Sequence, residues 1–168
     1  MSLTQKHGVE VKQILAKYPA EHKRSAVMPL MYLAQSDEGH ITKEAMQEIA
    51  DLLDMSLTDV GALAGFYTLF HDKRAGKYRI QVCTDLPCAL RGADVFLEEL
   101  CTNLGIKVGE TTPDGLITVE AVTCLAGCDK APMFQLQSPE GIEYHEDMTV
   151  DSTLELIQIL KRAGREVA

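Results

Sequence analysis

Four of the chain's five cysteines fall into two close pairs, Cys83-Thr84-Asp85-Leu86-Pro87-Cys88 and Cys124-Leu125-Ala126-Gly127-Cys128. Thiolates so grouped can supply the four sulfur ligands of one [2Fe–2S] cluster, two to each iron. Zinc also accepts four thiolates, although structural zinc knuckles usually space their cysteines Cys-x-x-Cys, and neither pair does. Thiol–disulfide chemistry is the third reading, and the weakest, because the redox-active Cys-x-x-Cys arrangement is missing. Spacing alone puts the iron–sulfur cluster first and leaves the other two open. Cys101 stands apart, on the apolar stripe of an expected helix, where a small thiol usually packs. None of the histidines (His7, His22, His40, His71, His145) lies inside a cysteine loop. His145 reads as a surface residue.

The elements around the pairs decide whether they can meet. Lys77–Val82 alternates polar and apolar residues, as a strand does, and Leu116–Val122 reads as a second strand. Each cysteine pair follows one of these strands directly, so both are expected on loops at the same end of a sheet. Gly127 allows close backbone approach there, while Pro87 and Pro132 stiffen the loops. Between the strands Arg91–Leu104 is amphipathic and closes at Gly105, with a short strand expected at Ile106–Val108. Met133–Leu136 and Ile142–Tyr144 flank Ser138-Pro139-Glu140-Gly141 as a hairpin, and Asp151 can cap a closing helix that ends at Gly164.

Before residue 77 the pattern is helical throughout. Val9–Lys17 stops at Tyr18-Pro19. Ser25 can cap a second helix ending near Glu38-Gly39, and Thr42 a third. Ser56-Leu57-Thr58-Asp59 resembles a capping box before a fourth helix reaching about Phe70. The expected class is α+β: a helical bundle over residues 1–76, serving to dock a partner subunit, then a thioredoxin-like α/β domain over 77–168.

Composition narrows the function. The net charge of −9 and the absence of a basic, aromatic-rich patch argue against nucleic-acid binding. No apolar run approaches the ~20 residues of a membrane span, and the first residues carry no signal for secretion or organelle import, so a cytoplasmic protein is expected. No Gly-rich phosphate loop follows a strand, so no nicotinamide or flavin site is expected in this chain. A redox centre without a substrate site implies a partner that has one.

The residues also resemble a known family. Leu15-Ala16-Lys17-Tyr18-Pro19, Phe66-Tyr67-Thr68, Gln81-Val82-Cys83, Pro87-Cys88, Gly109-Glu110-Thr111-Thr112-Pro113-Asp114-Gly115, Cys124-Leu125, Cys128 and Ala131-Pro132 are similar to the NuoE-type (24 kDa) iron–sulfur subunit of respiratory NADH:quinone oxidoreductase, complex I. The resemblance implies one [2Fe–2S] cluster on Cys83, Cys88, Cys124 and Cys128. It implies no catalytic residue, and a larger flavoprotein partner (NuoF-type) that binds NADH and FMN. The complex would hold the chain peripherally on the inner face of a membrane. Equivalent subunits of NAD-linked hydrogenases and formate dehydrogenases share the pattern, and a zinc-stabilised interaction module is the alternative of another class. The sequence departs from the family pattern at Leu125-Ala126-Gly127, where many members have Leu-Gly-Ala or Leu-Gly-Ser, at Thr123, where an acidic residue is common, and at Gln137-Ser138, usually Asn-Asp.

Overall fold

The computed structural model describes residues 2–166, which separate into two compact units, the first ending at Arg74 and the second beginning at Ala75. The first is helical: α1 (Leu3–Lys6), α2 (Gly8–Leu15), a 3-10 turn over Ala20–Ala26, α3 (Val27–Glu38), α4 (Lys43–Leu53) and α5 (Leu57–Phe66). Its core gathers Val11, Leu30, Met31, Ile49, Leu53, Val60 and Phe70. Thr42 caps α4 through Ala45 N–H, Ser56 and Asp59 close the expected capping box on α5, and Gly39 ends α3 at φ +70°.

Two expectations need correction here. Ser25 caps nothing, because the chain enters α3 through the 3-10 turn with Ala26 as the flanking residue. The fourth helix stops at Phe66, four residues early, since Tyr67 turns extended and Phe70 folds back against Tyr32, ring centroids 4.7 Å apart. Buried Gln35 holds that return: its amide donates to the Leu69 carbonyl (2.8 Å) and accepts from His71 N–H (2.8 Å). A buried amide satisfied at both ends is a strong local clamp.

The second unit contains β1 (Tyr78–Cys83), α6 (Leu86–Leu90), α7 (Ala93–Leu104), β2 (Ile117–Val122), β3 (Phe134–Ser138), β4 (Gly141–His145) and α8 (Val150–Glu166). The sheet runs β2-β1-β3-β4, with β1 and β2 parallel and the other pairs antiparallel. Joining the parallel pair through α7 and closing on α8 is the expected thioredoxin-like arrangement. One sheet face, with Ile80, Val82, Ile117, Val119, Phe134 and Leu136, shares an apolar core with Phe96, Leu100 and Ile157 of the helices.

No strand forms at Ile106–Val108. The chain turns at Lys107–Glu110, and pairing with β2 begins later, through Gly109 N–H to the Val119 carbonyl (2.7 Å) and the Thr111–Thr118 bridge. The closing helix starts at Val150, with Thr149 and Ser152 exchanging side-chain-to-backbone hydrogen bonds ahead of Asp151, and it continues past Gly164. No helix among the described residues is long and apolar enough to cross a membrane.

Candidate metal centre

Cys83 is the last residue of β1, and its neighbour across the parallel ladder is Val122, the last residue of β2, two positions before Cys124. The pairing continues one step further, as Thr84 N–H donates to the Val122 carbonyl (3.0 Å). On the other side Cys83 N–H donates to the carbonyl of Met133, just before β3 (3.2 Å). Three strand ends therefore converge, and both cysteine segments start from them.

Cys88 lies on a helix rather than a loop. Asp85 accepts from Leu86 N–H (3.0 Å) to start α6, and Pro87 sits in its first turn, where a missing N–H costs least. These signals were present in the sequence, but five residues are too few to show a helical period. The short helix turns Cys88 inward and leaves Leu86 and Leu90 outward, 70% and 80% exposed.

The second segment is irregular. Cys124 and Ala126 both have positive φ, +28° and +61°, whereas Gly127 sits at −121°, and a 3-10 turn runs from Cys128 to Lys130. Arg91 Nε donates to the Ala131 carbonyl (3.3 Å), joining the end of α6 to this loop. Sequence reasoning missed that tie, as an arginine in a loop announces no particular acceptor.

The thiols are unequal. Cys83 and Cys88 are fully buried in a small apolar cluster with Ala93, Ala131 and Met133, while Cys128 is half-buried against it and Cys124 is exposed. Burial, then hydrogen bonding to Cys83, and the nearby Cys83 and Cys128 sulfurs push the Cys88 thiol up to about 12. Among the described residues no three His, Cys, Asp or Glu side chains meet in a metal-holding group. Cys83 and Cys128 lie beside Cys88 at one small apolar cluster, with Cys124 on the adjoining exposed loop. This donor set fits an iron–sulfur cluster: thiols only, in an apolar setting, on two segments from neighbouring strand ends. A bound cation favours the thiolate and so opposes the burial that raises Cys88.

Cys101 is buried in the helix-facing core, where desolvation, then the charge of Glu110, raises its thiol above the ordinary value. His145 is not a solvated surface residue. Its ring stacks on Phe134 at 5.0 Å, and its Nε2 is buried without a hydrogen-bond partner, 3.9 Å from the Glu143 carboxylate.

The second sheet face carries a polar network that alternation alone would assign to solvent. Arg79 and Gln81 are buried, and both donate to Glu120, at 2.6 and 2.8 Å. Gln81 in turn accepts from Gln135 on β3. The network spans β2, β1 and β3, the strands whose ends carry the cysteine segments.

Residues 11–161 match the family model of the thioredoxin-like [2Fe–2S] ferredoxins. The chain is 37% identical over 156 residues to an NADH-quinone oxidoreductase subunit of Rhizobium meliloti, covering 93% of this chain and 89% of that one. It is 38% identical over 157 residues to NADH-quinone oxidoreductase subunit 2 of Thermus thermophilus, covering 94% and 84%. A chain of an NAD+-reducing [NiFe]-hydrogenase superimposes with a TM-score of 0.62 at 20% identity, over 79% of this chain and 22% of that much longer one. That likeness concerns the fold.

Proposed function

The chain belongs to the thioredoxin-like [2Fe–2S] ferredoxin family, and from that premise we propose that it is the iron–sulfur electron-transfer subunit of an NADH-oxidising complex of the NADH:quinone oxidoreductase type. The observation that carries this reading is that both cysteine segments leave the same end of the sheet: Cys83 closes β1, Cys124 follows its parallel neighbour β2 by two residues, and Cys128 packs against the buried cluster of Cys83 and Cys88. A [2Fe–2S] cluster supplies a centre that takes up and gives back one electron at a time. Cys83, Cys88, Cys124 and Cys128 are its ligands. Ala131, Met133 and Leu125 shield the buried pair from water, and the exposed Cys124 segment faces outward, where a redox partner can approach.

The partner is a flavoprotein (NuoF-type) holding FMN and NADH, and the complex keeps this chain peripheral to a membrane on its cytoplasmic side. The helical unit contributes docking surface, for which its exposed aromatic edge is suited: Phe66 is 77% exposed beside Tyr67, and Tyr67 and Tyr32 both pack on Phe70.

Anaerobic purification tests the centre. The protein should be red-brown, contain about two irons and two sulfides per chain, and give a rhombic EPR signal once reduced. A colourless chain with one zinc ion would overturn the reading. NADH should reduce the cluster only when the flavoprotein is added.

A further inference from the structure

β4 is the outer strand of the sheet, and Gly141, Ile142, Glu143 and Tyr144 are all exposed. Its pairing with β3 begins at the two-residue turn Pro139-Glu140, with Ser138 opposite Gly141, and runs to His145 without a bulge. In such a ladder hydrogen-bonded and non-hydrogen-bonded pairs alternate from the turn outward. Ile142 and Tyr144, opposite Gln137 and Gln135, are therefore the residues whose N–H and C=O point away from β3. Their side chains share one face and are 42% and 55% exposed. An outer strand is ordinarily blunted by lysine, proline or a bulge. None of these interrupts Gly141–His145.

The charge along this edge has one sign. Glu140, Glu143, Glu146 and Asp147 lie around the apolar pair, and no Lys or Arg occurs from Pro139 to Asp147. The cations that approach from outside it are Lys77 toward Glu140 and Lys130, 3.7 Å from Asp147, while Glu143 lies 3.9 Å from His145. Pairing with a second copy about a two-fold axis would set these carboxylates against their equivalents, in chains that each carry −9. Like charges directly opposite destabilise a strand pair.

We propose that β4 accepts an extended segment of another polypeptide as a fifth strand, and that this segment alternates Lys or Arg with apolar residues. Outward main-chain groups of Ile142 and Tyr144 supply the ladder, their side chains supply apolar contact, and the flanking glutamates select for basic character. This inference does not rest on the electron-transfer reading.

The test uses the full-length, cluster-loaded chain and fluorescein-labelled peptides read by anisotropy. One peptide alternates lysine and valine, a second alternates glutamate and valine, and a third is the lysine peptide N-methylated at alternate amides. Only the first should bind. Ile142→Pro removes an N–H that β3 does not use, so it should weaken binding about tenfold or more while circular dichroism and cluster absorbance stay unchanged. If that variant fails to fold, Ile142→Lys/Tyr144→Lys should show the same loss. Equal binding of the three peptides, no binding of any, or undiminished binding by the variants would overturn the proposal. So would a homodimer in sedimentation that Ile142→Pro dissociates.

Discussion

Replacing Ala126 by glycine removes a methyl group from a residue held at φ +61°, in the left-handed region. For an L-residue with a Cβ that conformation costs roughly 1–2 kcal/mol. Glycine avoids this but brings about 0.5–1 kcal/mol of extra unfolded-chain entropy. The net expectation is a gain of about 0.5–1 kcal/mol, or roughly 2–8 °C in the melting of a unit of this size. Gly127 is the control. Its φ of −121° suits any residue, but a Cβ there would lie 2.5 Å from the Met133 sulfur, and Met133 is 1% exposed. Gly127→Ala should therefore destabilise, by about 1–3 kcal/mol if the methionine cannot withdraw. Thermal unfolding of the anaerobic protein, followed by circular dichroism together with bleaching of the cluster band, reads both changes. A lower melting temperature for Ala126→Gly, or melting of both variants together with the parent chain, would refute this account.

Further outcomes follow from other residues. Cys124→Ser should abolish the EPR signal of the reduced protein while Cys101→Ser keeps it; a normal signal in Cys124→Ser would contradict the ligand assignment. Burial alone would raise the Asp114 carboxyl, but hydrogen bonds from Lys161 (2.7 Å), Thr112 and Leu116 N–H outweigh it and lower the group to about 2. A lowered folded pKa stabilises above the unfolded value of 3.8 and ceases to do so as pH falls toward 2. Asp114→Asn should then cost about 1 kcal/mol at neutral pH, allowing for solvent screening, and show a flatter loss of stability between pH 4 and 2 in urea titrations. Glu120→Ala removes the carboxylate shared by Arg79 and Gln81 and should cost about 2–4 kcal/mol, with Glu120→Gln recovering part of it; equal melting of all three chains would show the network to be idle.

Much of the architecture was legible because it rests on local signals. Thr42 and Ser56 announced helix starts through caps, and the alternation in β1 and β2 announced a sheet whose ends carry the cysteines. Several of the failures share one physical cause, a distant partner overriding a local pattern. Gln35 and Tyr32 determine where α5 stops, although nothing near Phe66 says so. Arg79 and Gln81 looked like the wet side of a strand, yet Glu120 and Gln135 make them a buried polar layer. The proximity of the cysteine segments could be read from strand order. The inequality of the thiols could not, because burial belongs to the packing of Ala93, Ala131 and Met133 around them.

The parallel pairing of β1 and β2 also bears on how a metal centre here comes to exist. A zinc knuckle draws its first ligands from neighbouring positions of a turn, so an ion can nucleate the structure around itself. Here the two cysteine segments approach only after α7 has crossed over and two sequence-distant strands have aligned, a slow, non-local event. A site assembled in this way depends on the scaffold rather than nucleating it. Chelation of the finished protein should therefore bleach its colour long before it erases its secondary structure.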